Sequence, residues 1–290
     1  MRRRAARLAA ALCLLAAAAC TGGAGSEKPG TLERMRAQGE ARVGFANEAP
    51  FAYVDPETGR LTGEAPEIAR AVLKDLGVER VEGVLTEFGA LIPGLKAGRF
   101  DLIAAGMYIT PARCREIAFS NPTYRIGEAF LVAKGNPLNL HGYADVAAHP
   151  EARLAVVAGA VERGYARATG VPDDRIRVLP DPPSAVAAVR AGRADAYAGT
   201  VLTIQTLLAK TGTAEVERAA RFTDPVIDGQ AVAGYGAFGF RKGDRKLKAA
   251  VDAALKGYIG SPAHLERVRP FGFSEATLPR GATAEALCAG

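Results

Sequence analysis

Short apolar runs of strand length recur along this chain with helix-spaced segments between them, and that alternation restricts the fold more than any other feature. Arg42-Val43-Gly44-Phe45-Ala46 predicts a strand. Pro66 to Gly77 then spaces Ile68, Val72, Leu73 and Leu76 along one helical face, with proline in the first turn and glycine just past the end. Val81 to Leu85 predicts a second strand, Gly89 to Ala97 a helix stopped at Gly98, and Phe100 to Ala105 a third strand. Strands joined through helices pair in parallel by crossover connections. The alternation returns later: strands at Leu154 to Val157, Ile176 to Leu179 and Ala194 to Ala198, and helices at Val161 to Ala168 and Pro183 to Ala191. Two α/β lobes are expected, each a mainly parallel sheet flanked by helices.

Two extended runs lie outside this alternation, Phe130 to Pro137 and Gly236 to Asp244. Read as crossings between lobes, they make the second lobe an insertion joined by a two-strand hinge. The expected divisions are lobe one at 31–133, lobe two at 134–237, a return to lobe one at 238–273 and a tail at 274–290. Ordered structure is expected from Thr31, where Leu32, Met35 and Arg36 suggest a short helix. The 290 residues, 49% of them hydrophobic, suffice for two modest cores.

The amino terminus reads as an export signal. Arg2, Arg3, Arg4 and Arg7 precede an alanine- and leucine-rich run that is too short to span a bilayer, and small residues lead to Cys20. Leu15 to Cys20 resembles a bacterial lipobox, so residues 1–19 are read as the leader, Cys20 as the acylated residue and 20–30 as a flexible tether. A plain secretory leader with an incidental Cys20 is the alternative. Removing four arginines takes the formal charge from +6 to +2, so the basic balance gives no argument for nucleic acid. Cys114 and Cys288 remain in an oxidising compartment, where a disulfide would tie the tail to the body; two separate thiols are the alternative. No Cys/His spacing suggests a metal, and no cofactor motif is present in the sequence.

The order of "VGFANEAPFAY" (43–53), "FGALIPGLKAGRFDLIAAGMYITPARCREIAFSNPTY" (88–124), "LVAKGNP" (131–137), "AGRADAYAGT" (191–200) and "AFGFRKGD" (237–244) resembles the extracellular solute-binding proteins of family 3, receptors of ABC importers. The resemblance runs from Thr31 to Phe273. It is nearest to the ectoine/hydroxyectoine-binding subfamily through "NEAPF", "FGALIPGLKAGRFD", "PARC" and "DPVIDG". What it implies is a type II periplasmic-binding-protein-like fold, two lobes closing on a small solute.

Arg113 follows Thr110 and Pro111, a natural N-cap and a natural first helical residue. The resemblance gives its guanidinium fork the solute's carboxylate. It likewise makes Phe51, Phe88 and Tyr108 an aromatic cage with Glu48 as the acidic partner, although aromatic rings near strand ends also serve as core plugs. Rings and one acid suit a delocalised cation such as the cyclic amidinium of ectoine. Ala160 and Val161 have no hydroxyl to offer and would act through backbone. Thr200 stands where many α-amino-acid receptors of the family carry an aspartate for a primary ammonium, which disfavours ordinary α-amino acids. Tyr53 is read as packing, Asp195 as structural and Asp228 as a loop residue.

The resemblance implies an exported monomer, lipid-anchored at the outer face of the cytoplasmic membrane or periplasmic, that delivers its solute to permease subunits. Arginine, histidine, glutamine or a betaine are alternative solutes. A dehydratase or another enzyme on this fold is the remaining reading, and the sequence pairs no nucleophile with a base to support it.

Overall fold

The computed structural model describes residues 29–227 and 229–289. The leader, Cys20, most of the tether and Asp228 lie outside the described residues. From Thr31 onward the chain forms one compact unit.

The unit opens with α1 (Thr31–Gln38), β1 (Glu40–Phe45), a small hairpin of β2 (Tyr53–Val54) and β3 (Leu61–Thr62), α2 (Glu64–Asp75) and β4 (Arg80–Leu85). A single turn of 3-10 helix at Phe88–Ala90 leads to α3 (Leu91–Lys96), β5 (Leu102–Tyr108), α4 (Pro111–Glu116), β6 (Ala118–Phe119) and β7 (Tyr124–Ile126). Lobe two contains β8 (Glu128–Ala133), α5 (Tyr143–Ala148), β9 (Leu154–Val157), α6 (Glu162–Ala168), β10 (Ile176–Leu179), α7 (Pro182–Arg190), β11 (Ala196–Thr200), α8 (Val201–Thr211) and β12 (Val216–Arg218). After a hairpin of β13 (Val226–Ile227) and β14 (Gln230–Ala231), β15 (Gly234–Phe240) returns to lobe one, followed by α9 (Arg245–Tyr258), α10 (Pro262–Val268) and α11 (Ala284–Ala289).

Each lobe is built on one α/β sheet of the same plan. The first runs β4-β1-β5-β15-β6, with β7 also on β15, and the second β10-β9-β11-β8-β12. Three strands pair in parallel in each, β1 in full register with β4 from Glu40–Arg80 to Phe45–Leu85. The fourth strand, the one that enters from the other lobe, runs antiparallel. Alternation along the strands feeds two cores per sheet. On β5, Leu102 and Ala104 face the core under α2 and α9, while Ile103, Ala105 and Met107 face the core with Leu91, Leu95 and Phe100. In lobe two, Leu154 and Val156 of β9 face one core, Ala155 and Val157 the other.

The crossings lie elsewhere than the sequence suggested. The run Glu128–Ala133, expected to end lobe one, is the inner strand β8 of lobe two, paired with β11 and β12. β15, expected to begin in lobe two at 236–237, belongs wholly to lobe one. The chain therefore crosses at Gly127, between β7 and β8, and again after the β13–β14 hairpin. Both runs were apolar because they are buried within sheets, and an apolar extended run alone does not say which sheet it joins. The tail expected at 274–290 is, over its described residues 274–289, also part of lobe one: Cys114 of α4 is disulfide-bonded to Cys288 of α11, with Cα atoms 5.7 Å apart.

Candidate functional site

In both lobes the loops after the parallel strands carry the side chains that meet between the lobes, as expected for ligand sites in open α/β sheets. Glu48 and Phe51 follow β1, Phe88 follows β4, and Tyr108 ends β5 ahead of Arg113. Val157 ends β9 ahead of Ala160, Val161 and Glu162, and Thr200 ends β11. All of these line one cavity together with Ala105, Gly106 and Tyr197. The eight residues singled out from sequence thus share one cavity, while Glu162, Tyr197, Val157, Ala105 and Gly106 were not foreseen.

Arg113 is placed by its local sequence. Thr110 caps α4, its hydroxyl accepting the Arg113 backbone N–H at 3.2 Å, and Pro111 fills the first turn. The guanidinium turns back so that Nη1 donates to the Tyr108 carbonyl (2.8 Å), and reaches across so that Nη2 donates to the Gly159 carbonyl of lobe two (2.9 Å). Its carbon sits 5.4 Å from the centroid of Phe88, over the ring. Two of its five N–H donors are thereby used. Burial lowers its pKa, and Glu162 opposes the shift most.

The aromatic residues serve as wall and core at once. Phe51 is 2% exposed; it packs on Tyr124 (5.3 Å) and edge-on to Phe273 (5.7 Å) while one part of the ring borders the cavity. Gly106 makes room for it, since a Cβ there would stand 2.6 Å from the ring. Tyr108 is buried, and its hydroxyl has no hydrogen-bond partner. Burial, then the Glu128 carboxyl, push that phenol far above its ordinary range. Phe88 is half-buried beneath Arg113.

Glu48 is held from the opposite lobe. Thr203 of α8 donates its hydroxyl to Glu48 Oε1 at 2.7 Å. Thr200, the N-cap of α8, accepts the Thr203 backbone N–H (3.0 Å) and lies 3.0 Å from the Thr203 hydroxyl as its donor. Burial raises the Glu48 pKa, and the Thr203 bond partly offsets it. This alters the expected role of Thr200: its hydroxyl borders the cavity, but its hydrogen bonds stay within the lobe-two end of a chain that terminates on Glu48. Thr203, which sequence reading missed, makes the contact between lobes. The backbone role expected of Ala160 also changes, because its N–H already donates to the Val157 carbonyl at 3.2 Å; it offers the cavity its methyl group.

Around the cavity the lobes touch closely. Gly159 adopts φ of +78°, and a Cβ there would lie 2.5 Å from Gly89 Cα of lobe one, so glycine is required for this approach. A second depression, which Glu48 also borders, is lined from both lobes, including Tyr53, Pro182, Pro183 and Lys210. Lys210 Nζ lies 5.2 Å above the Tyr53 ring, and Tyr53 also meets Phe271 edge-on. Tyr53 therefore combines packing with a contact across the cleft. Asp195 is structural: it accepts Arg153 N–H groups from backbone and side chain.

A model of the bacterial extracellular solute-binding proteins, family 3, matches residues 41–262. A probable amino-acid ABC transporter periplasmic-binding protein of Sinorhizobium fredii is 40% identical, over 98% of this chain and 93% of its own length. An L-arginine-binding protein of Pseudomonas aeruginosa is 28% identical, over 78% of this chain and 85% of its own. The crystal structure of EhuB in complex with hydroxyectoine superposes with a TM-score of 0.81 at 39% identity, covering 90% of this chain and all of that one.

Proposed function

The chain belongs to the bacterial extracellular solute-binding proteins, family 3, and on that premise we propose that the solute it captures for an ABC importer is ectoine or hydroxyectoine. The observation that carries this reading is one cavity lined by Arg113, Glu48 and the rings of Phe51, Phe88 and Tyr108. Ectoine presents a carboxylate and a flat amidinium. The guanidinium fork takes the carboxylate through charge-assisted hydrogen bonds. The rings and Glu48 take the amidinium, each well-placed desolvated ring contributing about 2 kcal/mol. Similarity to a protein crystallised with hydroxyectoine supports the same solute class.

A cationic amino acid such as arginine is the second reading, favoured by the buried acids Glu128 and Glu162 near the cavity and by similarity to an arginine-binding protein. Calorimetric titration with ectoine, hydroxyectoine, arginine, histidine and glutamine separates the two. Tight binding of ectoine or hydroxyectoine is expected; submillimolar binding of amino acids alone overturns the assignment.

Closure of lobe two over a solute held on lobe one would present the permease with a surface that the open form lacks. The same proposal makes the receptor a monomer anchored through acylated Cys20. Labelling with an alkyne fatty acid is expected to mark the unaltered chain and not Cys20→Ser.

A further inference from the structure

Two carboxyl groups of lobe two have no part in the ectoine reading above. Glu162, the first residue of α6, is 6% exposed and lines the cavity; Glu128, the first residue of β8, is 5% exposed. Both oxygens of Glu128 and Oε2 of Glu162 have no hydrogen-bond partner in the protein. A buried ionised carboxylate without partners is costly, so such a group takes a proton or awaits a ligand.

The groups facing Glu162 come from several elements. Its own backbone N–H and Tyr165 belong to α6, Glu128 to β8, Glu48 to the loop after β1, and Arg113 to α4; Tyr108, Tyr143 and Tyr197 complete the surroundings. Burial lifts Glu162 to about 7 against the pull of its own N–H, with Glu48 adding to the rise and Arg113 opposing it. Burial, then Glu162 and Asp224, hold Glu128 well above the carboxylate range.

Arg113 lines the same cavity as Glu162 and offsets its charge, and it is also the group assigned to the solute's carboxylate. An ionised Glu162 and an ionised solute would both claim that one guanidinium in a water-poor cavity, and like charges so placed force one of them to protonate. We infer that Glu162 meets the solute as a carboxylic acid, donating a hydrogen bond to the carboxylate held by Arg113. The proton comes from solvent, so capture of the solute and uptake of a proton are linked. This rests on the solute's carboxylate lying at Arg113, and holds for any carboxylate-bearing solute bound that way.

The test is calorimetric titration of the full exported chain with ectoine, and with L-arginine as second probe, in buffers of different ionisation enthalpy between pH 6 and pH 9. Net proton uptake is expected, with affinity greatest at the acidic end and falling by up to about tenfold per pH unit toward the alkaline end. Glu162→Gln, which donates without titrating, is expected to keep the pH 6 affinity within roughly threefold and to lose both the uptake and the pH dependence. Proton release, or zero uptake, overturns the inference, and does so on the unmodified protein even if the variant fails to fold. Binding of arginine in place of ectoine sinks the solute assignment alone, because uptake is then read with arginine. With neither solute bound, carbon-13 carboxyl titration of the solute-free chain decides: an ordinary carboxylate pKa for Glu162 overturns the proposal, and a value near neutrality supports it.

Discussion

Lobe one brings to the cavity a guanidinium already oriented by a neighbouring carbonyl and rings packed into its own core, with the Tyr108 hydroxyl unpartnered, whereas lobe two brings the Glu162 carboxyl, with Glu128 buried in the same lobe, and oxygens of both that nothing in the protein satisfies. The first wall is braced before any solute arrives. The second is left with polar groups in want of a partner, and an unsatisfied buried group costs about 1–3 kcal/mol. On the proposed reading, a receptor built this way would have a fixed grip on one lobe and a closing half whose own stability improves when a solute fills the gap.

The largest expected effect breaks the braced wall. Arg113→Ala should weaken solute binding by about 100-fold, because two charge-assisted hydrogen bonds and the carboxylate's counter-ion go together. Arg113→Lys should recover little, since a point charge lacks the planar fork. Titration of both variants checks this. Unchanged affinity in Arg113→Ala would mean that lobe two holds the carboxylate alone, and the comparison would reverse.

The next largest separates wall from core within lobe one. Phe88 is half-buried, so Phe88→Ala should cost about 30-fold in affinity with little change in melting temperature. Phe51 belongs to the core as well, and Phe51→Ala should lower stability by about 3–5 kcal/mol. Thermal unfolding beside titration distinguishes them. If Phe88→Ala alters only stability, its ring serves as the support of Arg113 and not as a contact for the solute.

Much of the braced wall was legible in the sequence, and the physical reason is locality. Thr110, Pro111 and Arg113 are a cap, a first helical residue and a fork within four positions, so the turn that aims the guanidinium is written in one short stretch. Glu48 and Phe51 likewise follow a strand directly. Lobe two's polar groups come from separate elements, and only the tertiary fold brings them together: Glu128 from β8, Glu162 from α6 and Thr203 from α8. Even so, Glu128 left a trace, an acid beside the apolar run Ala129-Phe130-Leu131-Val132. Acids are almost never fully buried unless partnered or functional, so an acid at the edge of a two-sided buried strand is a signal worth weighing. The crossing points were misplaced for the related reason that strand pairing is nonlocal. Helix limits shifted only slightly, as with the helix expected from Pro66 and found from Glu64.

The contact between the walls should produce a smaller loss. Thr203→Val removes the hydroxyl that holds Glu48 and leaves that buried carboxylate without its donor. Affinity should fall by about tenfold, seen mainly as faster release in stopped-flow measurements, because a bond to a charged group contributes about 1.5 kcal/mol to the closed form. Thr203→Ser, which keeps the hydroxyl, should restore most of it. Equal losses in both variants would assign the effect to packing of α8.

At the rim the expectation is close to nothing, which sharpens the contrast with the interior. Lys210 is exposed and reaches over Tyr53 from lobe two, a geometry in which water and salt screen most of the attraction. Lys210→Ala should therefore change affinity by at most about twofold. Raising ionic strength should erase that difference while leaving the Arg113 and Thr203 effects largely in place, since Thr203 is buried and Arg113 partly so. A Lys210 effect as large as that of Thr203 would show that closure is governed from the rim, and the division into a braced wall and an unsatisfied wall would then explain the cavity's chemistry without explaining what holds it shut.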